Sequence, residues 1–134
     1  MNNSFVLNFI KLFFTIFQAE IKNYKFEGNK VFGTLIWNDD PEWIFDEEQT
    51  QDFSWTNNLN DSEIIVLSQL FEYLLKHNLV SSDKIIISEI ELIDSLINAG
   101  WRSKDVNDCI YLLESFEINM VDDGEETDKF YFHF

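Results

Sequence analysis

The amino-acid sequence predicts an α+β fold, in which an N-terminal helix and a β-hairpin precede a unit of helix, short strand, helix, helix and β-hairpin. Three observations support this prediction: apolar residues recur at helical spacing in four segments, glycine-containing turns separate two pairs of β-prone segments, and capping residues precede the later helices. We expect residues 1–60 and 61–134 to pack together as one compact domain, because 134 residues suit a single core.

The first helix is predicted from Ser4 to about Asn23. Its polar residues recur at alternating four- and three-residue steps, which places them on one stripe and leaves apolar side chains on most of the circumference. A secretory signal or membrane anchor is disfavoured, because Lys11 interrupts the apolar run and neutral residues precede it. The helix therefore lies in the core or pairs with a partner, for example in a homodimer. The side chains that would form this dimer are Phe5, Phe9, Phe13 and Phe17.

The first hairpin is predicted from Tyr24 to Trp37, with Gly28-Asn29 as its turn, since this dipeptide tolerates positive φ. After it, the segment from Asn38 to Glu63 contains acidic and aromatic residues but no Lys, Arg or His. Charge runs are usually solvated faces, yet aromatic side chains among acids are typical of interface anchors. This segment is therefore either a solvated loop or a partner-binding surface.

Capping residues mark the start of the next two helices. The first of them begins at Asp61 or Ser62 and carries an apolar stripe that ends near His77. The second begins at the capping box of Ser88 and Glu91, directly after a short β-branched run at 84–87.

The last part of the chain completes the predicted order. Ser103 begins a further helix after the tight connection 99–102, which is the spacing of a helix-turn-helix. Two β-prone segments, 117–121 and 129–134, then flank the turn-forming Asp122-Asp123-Gly124 and predict a second hairpin.

This order from about Ser62 to Phe134 resembles that of a winged-helix domain. The resemblance is one of order and spacing, without the signature residues of a particular family. It implies that the helix beginning at Ser103 and the hairpin turn are the parts that a DNA binder would bring to the duplex. Arg102 and Lys104 suit phosphates, but acids follow them on the helix and occupy the hairpin turn, so we expect no direct contact with nucleic acid.

The composition indicates what kind of partner the chain can approach. Nine Lys and Arg against 25 Asp and Glu give a formal net charge of −16 and a pI near 4.2. Such a field repels phosphates and anionic membranes and speeds encounter with cationic proteins. The one cysteine, Cys109, excludes an internal disulfide and suits a buried apolar position in a reducing compartment, so we expect a cytoplasmic protein without a membrane partner.

The predicted partner-binding residues are the acids and aromatics of the middle segment together with the acids of the second hairpin. Around the hairpin turn a solvated loop is the simpler interpretation. The set comprises Asp39, Asp40, Glu42, Trp43, Phe45, Asp46, Glu47, Glu48, Asp52, Trp55, Asp122, Asp123, Glu125 and Glu126.

Catalytic and cofactor motifs are not recognisable in the sequence. The histidines, His77 and His133, belong to no motif, and the four glycines are isolated rather than grouped in a phosphate-binding loop. The acids between Asp122 and Asp128 lack the ligand order of an EF-hand. We therefore expect neither an enzyme nor a bound cofactor or metal.

Together these observations predict a non-catalytic acidic protein that binds and neutralises a basic partner. In size and charge it resembles acidic bacterial immunity proteins and antitoxins, which implies a toxin or nuclease as that partner. An alternative is a winged-helix adaptor or regulator that uses protein–protein contacts and dimerises through the first helix. A third hypothesis is a DNA mimic whose acids compete with phosphates for several proteins.

Overall fold

The computed structural model describes residues 3–37, 50–81 and 84–134. Within these ranges the chain forms four helices, a five-stranded antiparallel sheet and a two-stranded hairpin, which confirms the predicted α+β class. The helices are α1 (Asn3–Ile16), α2 (Asp61–Lys76), α3 (Glu89–Asn98) and α4 (Ser103–Ser115). The strands are β1 (Ala19–Glu27), β2 (Lys30–Trp37), β3 (Thr50–Thr56), β4 (Val80–Ser81), β5 (Lys84–Ile85), β6 (Ile118–Asp122) and β7 (Glu125–Phe130). The large sheet has the order β1-β2-β3-β6-β7, and β4 pairs with β5.

The N-terminal helix is shorter than predicted. α1 ends at Ile16 rather than near Asn23, because Gln18 adopts a φ of 62° and the chain enters β1 at Ala19. β1 then pairs with β2 in the hairpin predicted at Gly28-Asn29. None of the helices in the described ranges has the length and apolarity that crossing a membrane requires.

Strand β3 lies within the acidic segment, where no strand is predicted. It pairs with β2 on one side and with β6 on the other, with Phe53 opposite both Gly33 and Met120. β3 is therefore the central strand, and it joins the N-terminal hairpin to the C-terminal hairpin in one sheet. Its apolar positions, Phe53 and Trp55, are two residues apart, so they share the face of the sheet that the core covers.

A cluster of aromatic rings fills the core, to which both parts of the chain contribute. Phe9 of α1 lies 5.2 Å from Phe116, measured between ring centroids, and Phe13 lies 5.1 Å from the same ring. Phe5 and Phe17 are half-buried against this cluster. The first of the two predicted alternatives thus applies to α1, which lies in the core, and Phe9 and Phe13 are not exposed to form a dimer.

Helix α2 begins at a reciprocal capping box, and α3 begins at a side-chain cap that is not reciprocal. Asn60 Oδ1 accepts a hydrogen bond from Glu63 N at 2.9 Å, and Glu63 Oε1 accepts one from Asn60 N at 3.0 Å. The cap thus lies one residue before the predicted Asp61. Ser88 Oγ accepts from Glu91 N at 3.2 Å, so α3 begins where predicted, but Glu91 Oε1 accepts from Ser88 Oγ at 3.1 Å rather than from the backbone as in the predicted capping box.

The element order does not confirm the winged-helix arrangement. The single short strand predicted at 84–87 is the second half of a small hairpin, β4 and β5. The predicted wing, β6 and β7, joins the large sheet through β3 rather than standing free. One further link ties the small hairpin to the end of the chain, since Ile85 N donates to His133 O at 2.8 Å.

Candidate functional site

The sheet brings together acidic residues that are far apart in the sequence. Asp52 on β3 lies opposite Val121 on β6, and Val121 lies opposite Glu126 on β7. The turn that joins β6 to β7 follows directly. We call this region the acidic end, and it comprises Asp52, Asp122, Asp123, Glu125 and Glu126.

A tight turn holds the tip of the acidic end. Asp123 and Gly124 both adopt positive φ, 52° and 82°, as in the two-residue turns that match the twist of a hairpin. The predicted turn is therefore confirmed, and Asp122, Asp123, Glu125 and Glu126 are all exposed. Asp122 pairs directly with Glu125 across the hairpin. Like charges directly opposite each other in a sheet are destabilising, so this pair costs stability in the isolated protein.

Two hydroxyl groups orient the carboxylates at the base of the acidic end. Thr34 Oγ1 donates a hydrogen bond to Asp52 Oδ1 at 2.8 Å, and Ser54 Oγ donates one to Glu126 Oε1 at 3.3 Å. Ser54 is only 1% exposed, so it offers a fixed donor. Because Asp52 and Ser54 are two residues apart on β3, both contacts lie on the same face of the sheet, opposite the aromatic core.

The salt bridges among the described residues lie away from the turn. Lys25 Nζ is 2.9 Å from Glu27 Oε1, and Lys129 Nζ is 2.7 Å from Glu117 Oε1. The hydrogen bond to Glu117 and the attraction of its carboxylate raise the pKa of Lys129 above its ordinary value, with a smaller contribution from Glu126. Lys129 is thus engaged at the other end of the hairpin, and the turn carboxylates face solvent.

Eight of the predicted partner-binding residues lie outside the described residues. They are Asp39, Asp40, Glu42, Trp43, Phe45, Asp46, Glu47 and Glu48. The described residues that flank them, Trp37 and Thr50, end β2 and begin β3. Because β3 and β6 are antiparallel, with Asp52 opposite Val121, the start of β3 lies at the same end of the sheet as the β6–β7 turn. The connection between β2 and β3 therefore starts and finishes at the acidic end.

Trp55, also predicted as an interface anchor, is a core residue instead. It is 6% exposed, and its ring centroid lies 5.8 Å from that of Phe9 and 5.4 Å from that of Phe116. The reason is that β3 is a central strand, so its apolar side chains face the helices. Asp52, on the opposite face of the same strand, remains exposed.

Sequence reasoning missed an exposed apolar surface on α3. The helix buries Leu92 and Leu96, whereas Ile90 is 72% and Ile97 is 42% exposed. The sequence does indicate such a surface, because α3 has more apolar residues than one face of a ten-residue helix can hold. Tyr111 on α4 is a second large side chain at the surface, 72% exposed.

A surface depression between the sheet and α4 offers little chemistry. It has a volume of about 350 Å³ and lies between the end of β3 and the end of α4. Its one ionisable lining residue is Glu117, which already holds Lys129. Among the described residues, no group of three or more His, Cys, Asp or Glu is arranged to bind a metal ion. This depression therefore presents no acid–base pair.

Comparison with known proteins does not assign the chain to a family. No family model matches it, and no curated protein or solved structure matches it either.

Proposed function

We propose that this chain is a non-catalytic acidic protein that binds and neutralises a basic protein, as an immunity protein or other inhibitor of a toxin or nuclease does. The observation that supports this proposal best is the acidic end, where carboxylates from three strands lie at the same end of the sheet. The lysines that form the salt bridges of the described residues lie away from its turn. The formal charge of −16 adds a long-range attraction for a cationic partner.

The opposed carboxylates of Asp122 and Glu125 support a cationic partner specifically. They repel each other in the free protein, and a Lys or Arg side chain placed between them would convert this repulsion into attraction. Fixed acceptors such as the Ser54-bound Glu126 need little reordering on binding. We further propose that the protein works in the cytoplasm, where the free thiol of Cys109 would stay reduced.

A second candidate function is that of an adaptor or regulator whose α2–α4 region is a winged-helix-like unit converted to protein contacts. The tight α3–α4 connection, in which Gly100 has a φ of 101°, favours this candidate. So does the backbone link from Ile85 to His133, since a winged helix also joins its short strand to its C-terminal segment. Dimerisation through α1 has less support, because Phe9 and Phe13 are buried.

The experiment that tests the first proposal is capture of partners from lysate of the native host by the immobilised full chain. Bound proteins are released by raised salt, identified by mass spectrometry, and assayed for nuclease and toxic activity before and after the chain is added back. We expect one basic protein whose activity the chain suppresses. A captured protein whose activity is unaffected would contradict neutralisation.

Two charge-matched variants separate the acidic end from net charge. D122N/D123N removes two carboxylates from the turn, whereas D105N/D108N removes two exposed carboxylates from α4. We expect only the first to weaken inhibition, by about tenfold or more, because contacts at the binding surface exceed the effect of distant charge. Equal weakening by both variants would show that net charge, rather than this site, attracts the partner.

A further inference from the structure

Isoleucine side chains form a stripe along α3, whose ends at Ile90 and Ile97 are exposed and whose middle residue, Ile93, is half-buried against the core. Ile90, Ile93 and Ile97 follow one another at three- and four-residue steps, which places them on one side of the helix. Ile86, which is 55% exposed, precedes the helix along the chain. We call Ile90, Ile93 and Ile97 the isoleucine stripe. Contiguous exposed apolar side chains are typical of interaction sites on protein surfaces.

The isoleucine stripe is not the core-facing side of α3. Leu92 and Leu96, both 0% exposed, already attach the helix to the core. Ser95 is hydrogen-bonded to the hydroxyl of Tyr73 on α2, which fixes the rotation of α3 about its axis. The stripe therefore lies beside the buried face of α3, and its two ends, Ile90 and Ile97, are left at the surface.

The flanks of the isoleucine stripe are acidic. Helix α3 contains Glu89, Glu91 and Asp94 and no Lys or Arg. The side chain of Glu89 is hydrogen-bonded to that of Glu114 on α4, so carboxylates of two helices meet beside the stripe. Tyr111 lies one helical turn before Glu114 and extends the exposed surface onto α4.

The Glu89–Glu114 contact is poorly satisfied in the free protein. Desolvation, the hydrogen bond with Glu114 and repulsion by its carboxylate raise the pKa of Glu89 above the ordinary value of 4.5. The salt bridges among the described residues, Lys25–Glu27 and Lys129–Glu117, involve neither of these two carboxyl groups. A guanidinium or ammonium group from a partner would satisfy both carboxylates at once.

We propose that the isoleucine stripe docks a basic amphipathic helix of a partner protein. The apolar side chains of that helix would cover Ile90, Ile93 and Ile97, while its Lys or Arg side chains would reach Glu89 and Glu114. From Ile90 to Ile97 the stripe is about 10 Å long, which matches two turns of a bound helix. The charge complementarity decides the class of partner, since an acidic or neutral helix would leave the carboxylates unpaired. This surface belongs to other elements than the acidic end, so the proposal does not depend on the proposed function.

The test is an NMR titration of the ¹⁵N-labelled full chain with a synthetic helical peptide. The peptide has about 14 residues, with leucines at i, i+3, i+4 and i+7 and lysines elsewhere, and a scrambled peptide of equal composition is the comparison. We expect the amides of residues 86–97 and 111–114 to shift with the helical peptide and not with the scrambled one. Equal binding of both peptides, or shifts confined to the acidic end, would overturn the proposal.

Matched variants make the result specific. Ile90→Gln with Ile97→Gln should weaken binding by about tenfold or more, because apolar anchors dominate such contacts. Ile65→Gln on α2, where the isoleucine is 45% exposed and so comparable to Ile97 at 42%, should leave binding unchanged. Glu89→Gln with Glu114→Gln should weaken binding mainly at low salt. If sedimentation instead shows a dimer that Ile90→Gln with Ile97→Gln dissociates, the stripe binds a second copy of the chain and the proposal is wrong.

Discussion

Gly33 and Phe53 lie directly opposite each other on β2 and β3, and the ring of Phe53 covers the place where a side chain at position 33 would stand. A β-carbon built on Gly33 would be 2.6 Å from Cε1 of Phe53 and 2.5 Å from the carbonyl oxygen of Asn23. The glycine is thus required by close approach on two sides. It lets an aromatic side chain of the central strand lie flat against the neighbouring strand.

The substitution Gly33→Ala should destabilise the protein by about 1–3 kcal/mol, because the new methyl group overpacks the sheet. The sign of the effect is informative. Without the clash, replacing a glycine by alanine would stabilise the folded protein by about 0.4–1 kcal/mol, because alanine lowers the conformational entropy of the unfolded chain. Urea unfolding followed by tryptophan fluorescence measures the difference, and an unchanged or higher midpoint would contradict the close approach of Phe53 to Gly33.

Phe13→Ala should cost about 3–5 kcal/mol, since Phe13 is fully buried and contacts the rings of Phe116 and Phe132. The unfolding midpoint of both variant and parent should be independent of protein concentration, because α1 belongs to the core of one chain. A midpoint that rises with concentration would instead indicate that the helix is buried between two copies. Tyr111→Ala, which truncates an exposed ring, is the control and should change stability little.

The sequence could predict elements whose signals are local. Caps and turns such as Ser88 with Glu91, or Asp123-Gly124, are determined by neighbouring residues, and they appear where expected. The extent of α1 could not be predicted, because Ala19 and Ile21, which follow Gln18, suit the end of a helix and a β-strand equally well. Only pairing with β2, a contact distant along the chain, decides in favour of the strand.

The residues of the candidate site also divide into those that local sequence signals predict and those that long-range pairing places. The exposed acids of the hairpin turn follow from turn chemistry, so Asp122 and Asp123 could be predicted. Trp55 could not be placed correctly, because its burial depends on β3 having two neighbours in the sheet. The proximity of Asp52 to Glu126 depends on the same long-range pairing. The exposure of Ile90 depends on which face of α3 packs against the core, and this too is decided by tertiary contacts.

Cys109 should be unreactive in the folded protein. It is fully buried, as predicted, and burial followed by the negative charge of Asp105 raises the pKa of its thiol to about 12 from an ordinary 9.0. The thiolate fraction at neutral pH is therefore about a thousandfold lower than in the unfolded chain. Labelling with a thiol reagent should be slow in buffer and rapid in urea. Rapid labelling of the folded protein would show that α4 opens readily.

The same shift predicts lower stability in alkaline solution. Because the pKa of the folded state is the higher one, the contribution of Cys109 is fully present below pH 9.0 and is lost as the pH rises toward about 12. Cys109→Ala should remove this contribution to the slope of stability against pH, at the expense of a small cavity. Identical slopes of stability against alkaline pH for the two proteins would show that the pKa of Cys109 is not raised in the folded state.

Glu114→Gln should stabilise the protein at neutral pH, because it removes the repulsion between Glu89 and Glu114 and a negative charge near the C-terminal end of α4. The pKa of Glu89 is higher in the folded state than the ordinary 4.5, so the folded state retains a proton that the unfolded chain has released. The contribution of this pair to stability is therefore present below pH 4.5 and is lost as the pH rises through the raised value. Urea midpoints measured at a series of pH values should show this decline in the wild type and a flatter profile in the variant. Asp108→Asn, which removes another exposed carboxylate from α4, should leave the decline in place, and parallel profiles for wild type and Glu114→Gln would show that the two carboxylates do not interact.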